Sequence, residues 1–120
     1  MLVVPRFRVE PAEETAFLAD AEGALAALAA RPGYLEGSIG RATDDPTLWV
    51  ISMRWEGVGA YRRALSAYDV KVATVPLLSR AIDEPTAYEV VHGDGATEPN
   101  RAEPRGSAPG SLGPGWGDSA

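Results

Sequence analysis

The stretch DDPTLWVISMRWEGVGAYRRAL, residues 44–65, decides the fold, because it contains a turn, a strand and the start of a helix in that order. Asp44, Asp45 and Pro46 are typical turn residues, since Asp side chains accept backbone hydrogen bonds and proline restricts φ. From Leu48 to Trp55 the side chains alternate. One face is mixed, and the other is wholly apolar: Trp49, Ile51, Met53 and Trp55. This alternation predicts a strand with one buried face.

The residues before this stretch predict a strand, a helix and a second strand. Leu2 to Val9 alternate like a strand, with a bulge or a lost hydrogen bond at Pro5, because proline has no backbone N–H. Pro11 then opens a helix whose apolar residues recur at helical spacing: Phe17, Ala21, Ala24, Leu25 and Leu28. The RPG sequence at residues 31–33 ends that helix, and Tyr34 to Arg41 predicts a weaker strand.

The residues after the stretch predict more helix and a last strand. Helical spacing extends from about Val58 to Ala81, and Pro76 must kink or split any helix there, because proline removes a helical hydrogen bond. We therefore expect two short helices, although Asp69 to Val72 are also compatible with a strand. A Glu-Pro pair at residues 84–85 breaks the chain, and Ala87 to His92 predict the final strand.

The predicted order of elements is β-α-β-β-α-β, the ferredoxin-like, split β-α-β arrangement of the α+β class. This fold has an antiparallel four-stranded sheet with its helices on one face. The opposite face would be bare in a monomer, although it is half apolar and carries several charges: Val4, Arg6, Arg8, Val50, Ser52, Arg54 and Glu89. A second sheet stacked on it would cover these residues, so we expect a homodimer formed through the sheet face.

Composition divides the chain into a domain, residues 1–92, and a tail, residues 93–120. Glycine, proline and serine make up half of the tail. Such a segment buries too little apolar surface to offset its ordering entropy, which predicts disorder. Trp116, its one large aromatic residue, is interpreted as a chance aromatic rather than a docking anchor.

Charge and composition also exclude several partners. A net charge of −6 with no basic stripe argues against nucleic acid. No apolar run approaches the ~20 residues that span a bilayer, so no membrane partner is expected. The lack of cysteine suits a cytoplasmic protein and removes thiolate metal sites. With His92 as its single histidine and no glycine-rich phosphate loop, the chain predicts no metal and no cofactor.

In three places the sequence resembles the antibiotic biosynthesis monooxygenase family of dimeric α/β barrels: VPRFRVEP at residues 4–11, RPGY at residues 31–34, and the turn, strand and helix of residues 44–65. The most telling part is a strand that ends in Trp55 and Glu56, with Tyr61 six residues beyond the tryptophan. The resemblance covers residues 2–92. It implies a pocket between sheet and helices, in which some members use O₂ to convert phenolic polycyclic compounds to quinones without metal or flavin.

Three aromatic residues are the candidate substrate-binding residues. Trp55 could stack on an aromatic ligand or belong to the core. Tyr61 and Tyr68 would share a helix face if the helix continues, and their hydroxyls could orient a phenol or lie at the rim. No catalytic residue is identified, since the pocket asparagine common in relatives is missing and the single asparagine, Asn100, lies in the tail.

Two functions therefore stay open. One is a cofactor-independent monooxygenase that oxygenates an aromatic, phenolic or polyketide-like small molecule with O₂. The other is a non-catalytic dimer of the same fold that binds a hydrophobic aromatic small molecule.

Overall fold

The computed structural model describes residues 1–93. The predicted tail, including Trp116, lies outside the described residues apart from Gly93. A 3₁₀ turn, Pro11–Glu13, precedes the first of the α-helices. The helices are α1 (Glu14–Ala29), α2 (Val58–Ser66) and α3 (Tyr68–Leu78). The strands are β1 (Leu2–Val3), β2 (Arg6–Arg8), β3 (Tyr34–Arg41), β4 (Leu48–Trp55) and β5 (Ala87–Tyr88).

All of these strands form one antiparallel sheet in which β4 is central. On one side β4 pairs with β3, and on the other side it pairs with both β1 and β2. β1 and β2 are thus two halves of one predicted strand, interrupted at Val4 and Pro5. The Pro5 carbonyl still accepts a hydrogen bond from Ile51 N at 3.0 Å, so the interruption bends the strand without detaching it. The predicted α+β, ferredoxin-like order is confirmed.

The core lies between the helices and the apolar face of β4. Trp49, Ile51, Met53 and Trp55 are all buried, as their alternation predicted. α1 contributes its predicted stripe, and Phe17 sits edge-on to Trp49 with the ring centroids 5.5 Å apart. No helix among residues 1–93 is long and apolar enough to cross a bilayer.

Two details differ from the sequence-based expectation. The break between the second and third helices falls at Ala67, whose backbone is extended (φ −70°, ψ 140°), rather than at Pro76. Pro76 lies inside α3, only two residues before it ends, where few helical hydrogen bonds remain to be lost. The last strand is also shorter than predicted, Ala87–Tyr88 instead of Ala87–His92, because β1, its partner, has only two residues.

The open face of the sheet carries paired arginines. Arg6 makes a bidentate ion pair with Glu84, with both N–O distances 2.7 Å. Arg8 binds Asp45 at 2.8 Å, and Arg54 lies 3.2 Å from Glu36 on the neighbouring strand. Each guanidinium is therefore neutralised by a carboxylate of its own chain.

Candidate functional site

The candidate site lies where β4 ends and the chain turns into α2. Trp55 is the last residue of β4 and is 1% exposed. Its backbone N–H donates to the Met1 carbonyl at 2.9 Å, which extends the pairing of β4 with the first strand to the end of the sheet. The indole is thus held on a rigid strand and faces the helices.

Two tyrosines flank the Trp55 indole. The Tyr34 ring meets it edge-on, with centroids 5.4 Å apart and an interplanar angle of 85°. The Tyr61 ring is tilted by 56°, also with centroids 5.4 Å apart. Such geometries match the preferred arrangement of aromatic pairs. We call these three residues, Tyr34, Trp55 and Tyr61, the aromatic cage.

The indole N–H of Trp55 has no hydrogen-bond partner among the described residues. Burial of an unpaired donor costs on the order of 1–3 kcal/mol, so an orphan of this kind requires an explanation. Trp49, on the same face of β4, provides a contrast, because its Nε1 donates to the Pro46 carbonyl at 3.2 Å. Arg31 Nε and Arg54 Nε are also buried without a hydrogen-bond partner, and the Trp55 donor differs from them because it lies between aromatic rings. A ligand acceptor at the cage would gain a hydrogen bond from it.

Both cage tyrosines are neutral hydrogen-bonding groups at physiological pH. Burial raises the pKa of the Tyr61 phenol above its ordinary value. The pKa of Tyr34 is also raised, first by burial and then by the charge of Glu36. A phenol with a raised pKa keeps its proton and can donate it in a hydrogen bond to an oxygen atom.

Two glycines set the positions of the tyrosines. Tyr34 pairs with Trp55, while Glu36 pairs with Arg54, so β3 contains one extra residue, a bulge that keeps the Tyr34 ring on the helix side. Its hydroxyl lies over Gly37, where any Cβ would collide with it. Gly33 has φ 91°, and a Cβ added there would collide with the Cβ of Ala60, the neighbour of Tyr61.

The structure brings together two of the three predicted residues. Trp55 and Tyr61 are in contact, whereas Tyr68 begins α3 on its outer surface and is 82% exposed. The condition for Tyr61 and Tyr68 to share a helix face is not met, because the helix ends at Ser66. Sequence reasoning missed Tyr34. A bulge reverses the alternation within β3, and a period-two pattern does not reveal which face a residue before the bulge will occupy.

Metal-binding geometry is also absent from residues 1–93, in which no three His, Asp or Glu side chains lie close enough to hold an ion. His92 is exposed and lies beyond the last strand. The chemical groups of the site are therefore an indole N–H, two phenols and an apolar enclosure.

Comparisons with known proteins agree with this fold. Residues 1–74 match the model of the family described as antibiotic biosynthesis monooxygenase. SnoaB, a cofactor-independent oxygenase from Streptomyces nogalater, is 25% identical, with 75% of this chain and 94% of that chain covered and a TM-score of 0.57. A Deinococcus radiodurans protein is 18% identical, with 81% of this chain and 99% of that chain covered and a TM-score of 0.64. This likeness extends to the fold alone. No curated protein sequence matches the chain.

Proposed function

Since the chain belongs to the antibiotic biosynthesis monooxygenase family, we propose that it is a cofactor-independent monooxygenase that oxygenates an aromatic, phenolic small molecule with O₂. The observation that carries the proposal is the buried, unpaired indole N–H of Trp55 between two tyrosine rings. The similarity to SnoaB, a cofactor-independent oxygenase, supports the same reaction class.

The chemistry requires a substrate that reacts with O₂ without help from a metal. After the phenol has lost its proton to solvent, the electron-rich phenolate transfers one electron to O₂, and the two radicals combine to a carbon-bound peroxide. The peroxide takes up a proton, and cleavage of its O–O bond with loss of the hydrogen on that carbon releases water and leaves a quinone. One O₂ is consumed and one H₂O is released for each phenol. The protein stabilises the negative charge that develops on oxygen by means of preorganised donors in a water-poor site. In this chain the Trp55 indole N–H is such a donor, and the phenols of Tyr34 and Tyr61 are the neighbouring ones.

The aromatic cage also explains why the substrate would be flat and apolar. Trp and Tyr rings present aromatic surfaces that stack on an aromatic ligand. Because Trp55 is only 1% exposed, a ligand reaches the indole only when a covering side chain moves. Tyr34 is the side chain we assign to this movement, because it is half-buried whereas Tyr61, the other tyrosine of the cage, is buried.

We also propose that the protein acts as a homodimer formed through the open face of the sheet. Leu2, Val4 and Val50 are half-buried on that face, and Tyr88 is 47% exposed beside Leu2. The arginines there already have carboxylate partners, so a second sheet would cover neutral pairs rather than lone charges. The cysteine-free composition is the basis for proposing a cytoplasmic location.

The alternative is a dimer that binds an aromatic molecule without oxidising it. The observation in its favour is that residues 1–99 contain no asparagine, the amide that oxygenating relatives commonly place in the pocket. The two functions make the same prediction for ligand binding at the aromatic cage. They differ in the consumption of O₂.

The test is O₂ uptake with a panel of naphthols and hydroxylated anthrones, measured for wild type, Trp55→Phe and Phe7→Leu. Trp55→Phe keeps an aromatic ring and removes the donor, so we expect uptake to fall about 100-fold or more, the scale observed when an oxyanion donor is lost. Phe7→Leu truncates an equally buried core aromatic at the other end of the sheet and should leave uptake unchanged. Ligand binding without uptake in wild type would favour the alternative. Equal uptake by Trp55→Phe and wild type would contradict the assigned role of the indole.

A further inference from the structure

A second feature lies at the other end of β4, where α1 begins. Here α1 and the edge strand β3 border an open cleft of about 450 Å³. Leu18, Ile39 and Trp49 line it with apolar surface, and Arg41 and Glu14 stand at its rim. This volume falls within the ~300–1,000 Å³ typical of small-molecule sites. Trp49 and Trp55 are six residues apart on one strand, about 20 Å, so the cleft is separate from the aromatic cage.

Arg41 is positioned by an aromatic ring rather than by a strong ion pair. Its guanidinium carbon lies 5.3 Å from the centroid of the Trp49 ring, in cation–π distance. Its nearest carboxylate is that of Glu14, at 3.6 Å, which is longer than a good charge-assisted hydrogen bond. Half of the Arg41 side chain is exposed. The guanidinium therefore retains donors that can bind an incoming anion.

We propose that this cleft is a binding site for a flat aromatic molecule with one carboxylate group. The ring of the ligand rests against Leu18, Ile39 and the edge of the largely buried Trp49 that lines the cleft, and its carboxylate accepts two hydrogen bonds from Arg41. Arginine suits this role because its planar fork matches a carboxylate bidentately. Glu14 competes for Arg41 and repels the anion, so it limits the affinity.

This site does not depend on the proposed oxygenase activity, since it shares no residue with the aromatic cage. The opposite charges of Arg41 and Glu14 at its rim predict a result that a purely apolar cleft would not give. Neutralising Arg41 and neutralising Glu14 must change the affinity for an aromatic acid in opposite directions, whereas a purely apolar cleft would respond to neither change.

The experiment is titration of the full chain, labelled with ¹⁵N at tryptophan, with 2-naphthoate, while the indole N–H resonances are followed by NMR. The chain has three tryptophans, and single Trp49→Phe and Trp55→Phe variants identify which indole resonances belong to Trp49 and Trp55. We expect 2-naphthoate to shift the Trp49 resonance. Arg41→Gln should weaken binding about tenfold or more, as for loss of a charged hydrogen-bond partner. Glu14→Gln should tighten it about two- to fivefold, the scale of an exposed charge interaction.

The neutral analogue 2-naphthalenemethanol is the control ligand, and its affinity should be the same in wild type, Arg41→Gln and Glu14→Gln. Binding of 2-naphthoate that shifts only the Trp55 resonance would overturn the proposal and place the acid in the aromatic cage. Absence of binding at millimolar ligand, or an affinity that neither rim variant alters, would also overturn it. Arg41 is exposed and Glu14 is partly exposed, and an unchanged Trp55 indole resonance in each variant establishes that it folds.

Discussion

Gly33 is the residue at which a single methyl group should disturb the fold and the aromatic cage together. It has φ 91°, and a Cβ at this position would collide with the Cβ of Ala60 in α2. Its carbonyl accepts a hydrogen bond from Glu56 N at 2.8 Å, which ties the start of β3 to the end of β4. Gly33 thus sets the spacing between Tyr34, its neighbour, and Tyr61, the neighbour of Ala60.

The expected cost of Gly33→Ala has two parts. A side chain held at positive φ costs about 1–2 kcal/mol, and forcing a methyl group into a packed contact costs about 1–3 kcal/mol more. The free energy of unfolding should therefore fall by about 2–5 kcal/mol. Ala60→Gly alone should cost about 1–2 kcal/mol, from lost helix propensity and one lost buried methyl group.

The double variant separates the two parts. In Gly33→Ala/Ala60→Gly the collision is gone, while the backbone strain and the cost of the helix glycine remain. Its loss of stability should thus be smaller than the sum of the single losses by about 1–3 kcal/mol, the range of coupling between contacting residues. A distant pair of substitutions would be additive.

Equilibrium unfolding in urea measures the free energy of unfolding of the wild type and the three variants. All four are compared at one protein concentration, because the stability of the proposed homodimer would depend on concentration. Near-ultraviolet circular dichroism reports the arrangement of the cage rings in the same samples. A loss below about 1 kcal/mol for Gly33→Ala would refute the strain argument. Additive losses in the double variant would refute the contact with Ala60.

Three further predictions concern the charges, the assembly and the tail. The pKa of Asp45 is lowered by the Thr47 hydroxyl and by Arg8, and that of Glu84 is lowered by Arg6. These carboxylates therefore stabilise the fold above the ordinary pKa of such groups, about 4, and this stability is lost as the pH falls through their lowered values. Thermal melting from pH 6 to pH 2 should show the loss, and a double Arg6→Gln/Arg8→Gln variant should show less of it. Light scattering at micromolar concentration should give a homodimer, and a single-chain mass of 12.6 kDa would refute it. Truncation after Gly95 should change the melting temperature and the dimer mass little, and a drop of more than a few degrees would mean that the tail packs on the domain.

The sequence alone was sufficient for the order of elements, because each signal that mattered was local. Alternation in β4 identified its buried face, and the RPG sequence at residues 31–33 ended the first helix where the structure ends it. The break at Ala67 was misplaced to Pro76, because proline is tolerated near the end of a helix and no residue type marks the actual break. The length of β5 was overestimated because it depends on the length of its partner strand.

The features of the candidate site also divide into those predicted before the structure was known and those that only the structure revealed. Trp55 was predicted from the periodic face of its strand, and Tyr61 from the family resemblance, which implies an aromatic residue six positions beyond that tryptophan. Only the tertiary structure decided that Tyr34 completes the aromatic cage, that Tyr68 faces outward, and that Arg41 stacks on Trp49 beside a cleft. These facts depend on a bulge, a helix break and the register between two strands. Each of them arises from contacts between residues that are distant in the sequence, which local periodicity does not encode.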